Sequence, residues 1–384
     1  GLAAFSSERW PNHSHPLWHG YRRIEALVSS RTLGGGLRSL RQTYETPDAV
    51  AAASGAGLLT KARAMPGLGA NFASAIEAAV LRRFAWADGV SAHLSDSYRG
   101  GMVANFVLSP LAIVGGIAYL PFGSSETKWI FEVFELVLLV AIVGITLLGQ
   151  QRRWHARWFE SRRVAEYFRH APILLLLGVA RPPGRWPRGS ETSWPEWYAR
   201  QGLREVGLPA LAMTPAYLRS ALDLLLTDHV VPQRDYHLGK ADRLAAAHHN
   251  LDRLSEILFS LAVLVVAGYL GLEAAAALHL VPHEVPKAIS SLFTWLGVAL
   301  PTFGAAIAGI RYFGDFERFS AISQVSAAKL DALAGRIRLL LSAPDAKLNY
   351  GRVAELAHAA DDIVVGEIEN WQAVFGGKNI TVPV

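Results

Sequence analysis

The sequence predicts an all-α, polytopic membrane protein with four transmembrane helices in two hairpins, accompanied by cytoplasmic helices. Two observations carry this prediction: apolar runs of about 20 residues occur in two closely spaced pairs, and arginines accumulate where each pair ends. At 1.5 Å of rise per residue, such a run reaches roughly 30 Å, the thickness of the hydrocarbon core of a bilayer. The alternative is a large soluble helical bundle, but a helix in such a bundle needs only one apolar face. The predicted spans are residues 102–122, 129–148, 257–280 and 288–310.

Basic residues orient the two hairpins. The turns within the hairpins, at residues 123–128 and 281–287, hold one lysine each. Arginines follow the last span of each hairpin, as at Arg152, Arg153 and Arg311. Short cytoplasmic flanks are enriched in Lys and Arg, whereas translocated loops are not. Both hairpins are therefore predicted to enter the membrane from the cytoplasm and to return to it, with both termini cytoplasmic.

The composition supports a bilayer as the main partner. Of the 384 residues, 51% are hydrophobic, and the mean hydropathy is +0.23. The chain has no cysteine, which excludes disulfides, thiol catalysis and Cys-ligated zinc. Its net charge of +5 is explained by attraction to anionic lipid headgroups, because much of the basic content lies beside the spans, and no nucleic-acid partner is predicted. The chain opens on Gly1, which indicates a processed or truncated product.

Five segments are expected along the chain: an N-terminal lead and cytoplasmic helix (residues 1–70), a first helix-hairpin unit (71–170), a cytoplasmic insert (171–232), a second helix-hairpin unit (233–343) and a C-terminal cytoplasmic helix (344–384). Residues 1–36 are predicted to be poorly structured because they contain two prolines and a glycine triplet, and a helix is predicted from Leu37. A helix over residues 71–99 leads into the first span, interrupted only by Gly100 and Gly101.

The two units share a plan, which predicts an internal repeat. Each has a helix, a span, a short outer turn, a second span and a charged, aromatic exit. At the exits, Arg152-Arg153-Trp154 matches Arg311-Tyr312-Phe313, and Phe159-Glu160 matches Phe316-Glu317. Parallel repeats would place both units around one pseudo-symmetric axis normal to the membrane.

No signature of a catalytic site is found. The chain has no G-x-S-x-G, P-loop, H-E-x-x-H or G-x-G-x-x-G motif, so neither an enzyme nor a cofactor is predicted. His248 and His249, with His237 on the same predicted helix, are candidates for a metal site. Adjacent histidines point about 100° apart on a helix, which favours a solvated face over a shared metal.

Polar residues at membrane depth are the candidate pore residues, because an ionisable group there is costly. Glu132 and Glu135 lie on one face of the second span, where a ring of carboxylates in an oligomer would select cations; the alternative is solvation at the interface. Asn105 either lines a pore or bonds a neighbouring helix. Pro110 and Pro301 are candidate hinges, since each removes one backbone hydrogen bond from its helix.

A second group of candidates lies in the cytoplasmic layer. Their aromatic and charged side chains predict either a packed layer with buried rings or a ligand pocket. The candidate contact residues are Trp197, Tyr198, Arg204, Glu205, Gln233, Tyr236 and His237.

Scattered motifs over residues 80–340 resemble the bacterial SLATT family, the SMODS- and SLOG-associating two-transmembrane effectors. The motifs are Ala87-Asp88, Tyr98-Arg99-Gly100, Arg152-Arg153-Trp154-His155, Trp197-Tyr198, Arg204-Glu205, Gln233-x-x-Tyr236-His237, Gly309-Ile310-Arg311 and Phe316-Glu317-Arg318. The resemblance implies a homo-oligomer in the bacterial inner membrane that forms a pore or perturbs the membrane in antiphage defence. It also implies an upstream SLOG-like sensor domain outside this chain. The two hairpins and the long insert depart from the common two-span form.

Three functions follow in order of preference. The first is an oligomeric inner-membrane effector that forms a gated pore or perturbs the bilayer. The second is a non-conducting membrane scaffold or sensor that anchors a cytoplasmic partner. The third is a transporter, which the repeats favour, although no cluster of ionisable residues marks a transport path.

Overall fold

A computed structural model describes residues 1–8, 20–29, 44–181 and 194–375, with side chains as far as residue 367. All regular structure in these residues is helical and they contain no β-strand, which confirms the all-α class. Three helical runs among them are long and apolar enough to cross a membrane, namely Lys128–Gln151, Pro215–Ala277 and Glu284–Leu341. These runs give the chain the character of a membrane protein.

In chain order the elements are α1 (Leu2–Ser6), α2 (Gly20–Ser29), α3 (Ala56–Arg63), α4 (Ala70–Ile76), a π-helical segment (Glu77–Leu81), α5 (Arg82–Gly116), α6 (Tyr119–Phe122), α7 (Lys128–Gln151), α8 (Trp154–Leu176), α9 (Trp194–Val206), α10 (Pro215–Leu224), a second π-helical segment (Leu225–Val230), α11 (Val231–Ala277), α12 (Glu284–Gly314), α13 (Phe316–Leu341), a 3-10 turn (Asp345–Lys347) and α14 (Tyr350–Phe375).

Two long helices organise the fold. Helix α5 has 35 residues and packs against α7 and α8, while α11 has 47 residues and packs against α12 and α13. In each unit the chain therefore leaves along the long helix, turns, and comes back beside it in two further helices. Helices α5 and α12 join the two units. Helix α2 packs against α5 and α11, and α14 packs against α8 and α13, so both cover the layer formed by the polar halves of the long helices.

Corresponding points of the two units are marked by backbone conformation. Each long helix follows directly on a π-helical segment. Arg153, between α7 and α8, and Asp315, between α12 and α13, have left-handed φ angles of 50° and 48°. Arg153 therefore corresponds to Asp315 in backbone conformation, three residues away from the register that a strict alignment of Arg152-Arg153-Trp154 with Arg311-Tyr312-Phe313 would give, and the match of the two exits stays a prediction. That prediction followed a shared composition of arginine and aromatic residues, which recurs near any cytoplasmic exit.

The N-terminal lead contains more helix than the sequence predicts. Helices α1 and α2 both fall within the segment 1–36 that is expected to be poorly structured. Phe5 is buried with its ring 4.9 Å from that of Trp194, and Tyr21 stacks on Phe316 at 5.8 Å. These distant aromatic contacts stabilise helices that local sequence does not favour. Leu37, where a helix was predicted to start, lies outside the described residues.

Helix α5 differs from the prediction at both ends of its apolar part. It runs without interruption through Gly100 and Gly101, because the packing of α8 along its side outweighs the low helix propensity of two glycines. It then ends at Gly116 instead of continuing to Phe122. Pro121 has no N–H to bond the carbonyl of Ile117, and Leu120 bonds this carbonyl instead, at 3.1 Å. From residue 102 to its end, α5 rises only about 21 Å.

Large apolar side chains are exposed along α7 and α11. Only 11% of the most apolar window of α7 and 6% of that of α11 are buried within the chain. Leu136 and Val140 on α7 are 60% and 62% exposed, and Leu264 on α11 is 66% exposed. Surfaces of this composition need lipid or other protein chains around them.

Candidate functional site

A cavity of about 700 Å³ lies in the polar layer, between the two units. Its walls come from α5 and α8 of the first unit and from α11 and α13 of the second, and α2 and α14 contribute further residues. The cavity therefore lies along the polar halves of both long helices.

The two long helices present equivalent positions to this cavity. The π-helical segments end at Leu81 and Val230, and both Asp88 and His237 follow seven residues later. The same spacing relates the next lining positions of the two helices, Ser91 with Lys240 and Ser95 with Leu244. The cavity thus lies near the pseudo-symmetry axis of the repeat, although the side chains on its two sides differ.

On the first unit, a buried carboxylate holds two guanidinium groups at the cavity wall. Glu166 is 4% exposed and forms ion pairs with Arg162 and, at 3.1 Å, with Arg169. Burial alone would raise the pKa of Glu166, but the charges of Arg162, Arg169 and His170 outweigh it and hold that pKa well below its ordinary value. Asp88 contacts the same two arginines, at 3.2 and 2.9 Å. The positions of both arginines are therefore fixed by two acids.

Helix α2 is attached to this wall by polar and aromatic contacts. The guanidinium of Arg22 donates to Asp96 at 2.5 Å, and the hydroxyl of Tyr44 donates to the other oxygen of this carboxylate at 2.6 Å. The guanidinium of Arg99 lies over the rings of Tyr21 and Trp158, with its carbon 4.8 and 4.7 Å from their centroids. A cation over an aromatic face is attracted by the ring quadrupole, so these rings keep Arg99 at the cavity.

On the second unit, α11 and the C-terminal helix meet through an ion pair. Glu367 of α14 lies 3.1 Å from Nε2 of His237 and 3.4 Å from the ammonium of Lys240. His237 is only 3% exposed, and burial lowers its pKa by more than the charge of Glu367 raises it. Nδ1 of His237 has no hydrogen-bond partner within the described residues. His237 therefore lines the site with Nε2 paired to Glu367, while Nδ1 is buried and unpartnered within the described residues.

The cavity holds nearly equal numbers of positive and negative side chains, but not all of them form ion pairs. The six cations that line it are Arg22, Arg99, Arg162, Arg169, Lys240 and Arg243. The five carboxylates are Glu25, Asp88, Asp96, Glu166 and Glu367. All of these acids except Glu25 contact a cation, while Arg243 forms no ion pair within the described part of the chain. No group of three His, Asp or Glu side chains in that part is arranged to hold a metal.

The residues predicted to make cytoplasmic contacts separate into two sets. Gln233, Tyr236 and His237 line the cavity, whereas the four residues of α9 lie elsewhere. Tyr198 packs its ring 5.7 Å from that of Phe5, as the packed-layer alternative predicts. The other three α9 candidates are exposed: Trp197 is 55% accessible, Arg204 lies outside the cavity wall, and Glu205 pairs with Arg83 at 2.7 Å.

The three polar residues predicted to lie at membrane depth have different neighbours and do not form one site. Glu132 is exposed and pairs with Lys128 one turn earlier, at 3.1 Å. Glu135 is half-buried, and its carboxylate lies where a Cβ at Gly116 would be. Asn105 is fully buried and donates to Thr146 of α7 at 2.9 Å. Within this chain Asn105 therefore joins α5 to α7.

The two candidate hinges lie inside long helices. Pro110 is in α5 and Pro301 is in α12, each well within the apolar half of its helix. Both helices remain continuous around the proline. The structure thus places each proline where it weakens the backbone ladder without ending it.

Glu166 is the main site residue that the sequence analysis does not identify. It stands between Arg162 and Arg169 in a strongly basic helix, at spacings typical of solvated i, i+3 and i, i+4 pairs. Only packing against α5 reveals that this carboxylate is buried. The one signal in the sequence is the apolar run at residues 173–177, which indicates that the end of α8 is enclosed.

No family model, no curated protein and no solved structure matches this chain. The geometry of the cavity and the helices that leave it are therefore the features that bear on function.

Proposed function

We propose that the protein is an oligomeric membrane effector in which the two hairpins provide four spans and in which the polar layer gates a pore. One observation carries the proposal: α5 and α11 each run without a break from the charged cavity into an apolar half. A change at the cavity would therefore reach the membrane through a continuous helix.

The hairpin topology rests on helix order and charge. Helices α7, α11 and α12 are long and apolar enough to span, and the apolar half of α5 with α6 supplies the fourth crossing. The shorter reach of α5 is compatible with local thinning of the bilayer at this position. Arginines at Arg152, Arg153 and Arg311 favour a cytoplasmic location for the polar layer and both termini.

Oligomerisation is proposed because one copy leaves its apolar faces uncovered. Leu136 and Val140 on α7 point away from the rest of the chain, as does Leu264 on α11. A ring of copies would bring α7 of each chain, with Glu132 and Glu135, around a common axis. The resemblance to SLATT effectors supports the same assembly in a bacterial inner membrane and a role in antiphage defence.

The test is ion and dye release from liposomes that contain the purified full chain. Release from these liposomes but not from protein-free ones is expected. Gly309→Val should abolish release, because a side chain there collides with Phe106 across the α5–α12 contact. Gly268→Val is the matched control, since the space beside Gly268 is open and release should persist. Absence of release from correctly folded wild type would contradict the pore.

A non-conducting, membrane-anchored sensor is the second candidate. Two observations favour it. The charge of Glu132, a proposed pore residue, is already paired with Lys128. The cavity, in contrast, has paired and positioned charged groups of the kind that a binding site needs. A folded, oligomeric protein that binds a ligand and releases no ions would support this candidate.

A further inference from the structure

The cavity between the two units has the size and composition of a ligand site. Small-molecule sites commonly enclose about 300–1,000 Å³, and this cavity measures about 700 Å³. It combines cationic groups with the aromatic rings of Tyr21, Trp158 and Tyr236. A site of this kind suits an organic ligand that bears negative charge.

The arginines of α8 are arranged as anion donors. A guanidinium has five N–H groups in a fixed plane, and contacts with Glu166 and Asp88 use only some of them. The two acids also fix the orientation of Arg162 and Arg169, so little side-chain entropy is left to lose when an anion binds. Paired guanidinium groups match the oxygens of a phosphate better than a single ammonium does.

The opposite wall offers further donors. Lys240 of α11 lines the cavity, with its ammonium 3.4 Å from Glu367. Arg243, three residues farther along α11, also lines the cavity and forms no ion pair within the described residues. Donors from α8 and α11 therefore face one space from two sides.

The carboxylates do not make this a cation site. Asp88, Asp96, Glu166 and Glu367 each contact at least one cationic side chain. These carboxylates are therefore already paired, and they hold arginines, a lysine and a histidine in place. Glu25, on α2, is the one lining acid without such a contact in the described residues, and it would oppose an anion.

We propose that this cavity binds a phosphate-bearing organic anion between α8 and α11, with Arg162, Arg169 and Arg243 on its phosphate oxygens. The phosphate belongs either to a soluble ester or to the headgroup of an anionic phospholipid, since Arg99, which lines the cavity, lies only three residues before the apolar half of α5 begins at residue 102. Binding of this anion does not require that the protein conduct ions, so the site and the pore can fail independently.

The first test is a calorimetric titration of the detergent-solubilised full chain with pyrophosphate. Saturable binding of one pyrophosphate per chain is expected, weakening as salt is added. Arg243→Gln should weaken binding about tenfold, the loss expected for one charge-assisted contact. Arg253→Gln removes the same charge from the same helix outside the cavity and should leave binding unchanged.

Glu25→Gln distinguishes a site from a damaged fold. Removing this carboxylate should tighten pyrophosphate binding several-fold, because it takes away the lining acid that no described cation offsets. A gain of affinity cannot arise from misfolding. Absence of saturable binding at millimolar pyrophosphate, or equal affinities of Arg243→Gln and Arg253→Gln, would overturn the proposal.

A second experiment identifies the source of the phosphate. The chain is placed in nanodiscs of phosphatidylcholine alone or with phosphatidic acid, whose headgroup is a phosphate monoester. Loss of pyrophosphate binding in the phosphatidic acid discs would show that the lipid headgroup occupies the site. Equal binding in both discs would assign the site to a soluble ester.

Discussion

Arg153 and Asp315 occupy equivalent positions in the two units, each as a single left-handed residue between an apolar helix and the helix that turns back from it. Because α8 and α13 both start at the next residue, this one conformation sets the direction of each returning helix. The wall of the cavity on the first unit, which α8 carries, depends on the turn at Arg153.

Substitutions at these two turns should differ in their effect on stability. A left-handed conformation costs roughly 1 kcal/mol for a residue with a Cβ, and less for Asp, which tolerates it. Arg153→Gly should therefore raise the free energy of unfolding by about 0.5–1 kcal/mol, and Asp315→Gly by less. Arg153→Val should lower it. Thermal unfolding in detergent measures all three, and a larger gain at Asp315 than at Arg153 would contradict the argument.

The proposed topology predicts which connectors are accessible from outside. Single cysteines at Ser125 and His283 can be introduced because the chain has none of its own. Both should react with an impermeant thiol reagent added to intact spheroplasts. A cysteine at Ser342, in the polar layer after α13, is the control and should react only after lysis. Protection of both connector sites in intact cells would rule out the topology.

The two carboxylates of α7 should contribute unequally to ion selectivity. Lys128 lies 3.1 Å from Glu132 and offsets its charge, whereas Glu135 has no such neighbour within the described residues. Glu135→Gln should therefore reduce cation preference more than Glu132→Gln, and the double variant should reduce it most. Reversal potentials in planar bilayers give the measurement.

The control for this selectivity test is Glu284→Gln, which removes a carboxylate at the start of α12 in the second hairpin. Its reversal potential should match that of the wild type. If the double α7 variant still conducts with unchanged selectivity, the two glutamates are interfacial residues only.

The hydrogen bond between Asn105 and Thr146 should stabilise the first hairpin. Polar contacts between membrane helices contribute about 0.6 kcal/mol on average and up to about 1.7. Asn105→Leu and Thr146→Val should each destabilise the protein, and the double variant should cost less than the sum of the two. Unfolding in mixed detergent micelles measures the coupling. Strict additivity would show that the bond contributes nothing.

The buried carboxylate of α8 should make stability depend on acid. Because the folded-state pKa of Glu166 lies below its ordinary value of 4.5, the unfolded chain binds a proton first as pH falls. The stabilising contribution of Glu166 is therefore complete above about pH 5, declines below 4.5 and is lost through the folded-state pKa.

Glu166→Gln tests this dependence. At pH 7 the variant should be less stable by about 3 kcal/mol, because Arg162 and Arg169 lose a buried partner. The difference from wild type should shrink as pH is lowered below 4.5. Melting temperatures at a series of pH values provide the comparison, with Glu355→Gln, an exposed ion-paired acid of α14, as control. A difference that stays constant with pH would contradict the shifted pKa.

Much of the fold could be predicted because the patterns that specify these helices lie within short stretches of sequence. Long apolar runs and their basic flanks specify α7, α11 and α12, and the periodic apolar residues of the C-terminal region specify α13. The end of α5 at Gly116 and the helices of the lead were not predicted. They depend on contacts between distant residues, such as Phe5 with Trp194, that no local pattern contains.

The candidate site could be predicted only in part. Gln233, Tyr236 and His237 attract attention because polar and aromatic residues on one helix face are unusual in a linker. Glu166 does not, since a carboxylate between two arginines is typical of a solvated helix. The sequence also does not show which residues of the two units correspond. Their corresponding positions are marked by the π-helical segments at residues 77–81 and 225–230, whose sequences are typical of ordinary α-helix.

Because α11 is long and uninterrupted, a small tilt at one end produces a large displacement at the other. From His237 to Ala277 the helix extends about 60 Å and contains no proline or other break. A tilt of only about 5° about its inner end would shift its outer end by about 5 Å, comparable to one helical turn. In the proposed topology, such a tilt would carry a displacement across the bilayer without any rearrangement within α11, and α12 and α13, which pack against this helix, would have to follow it.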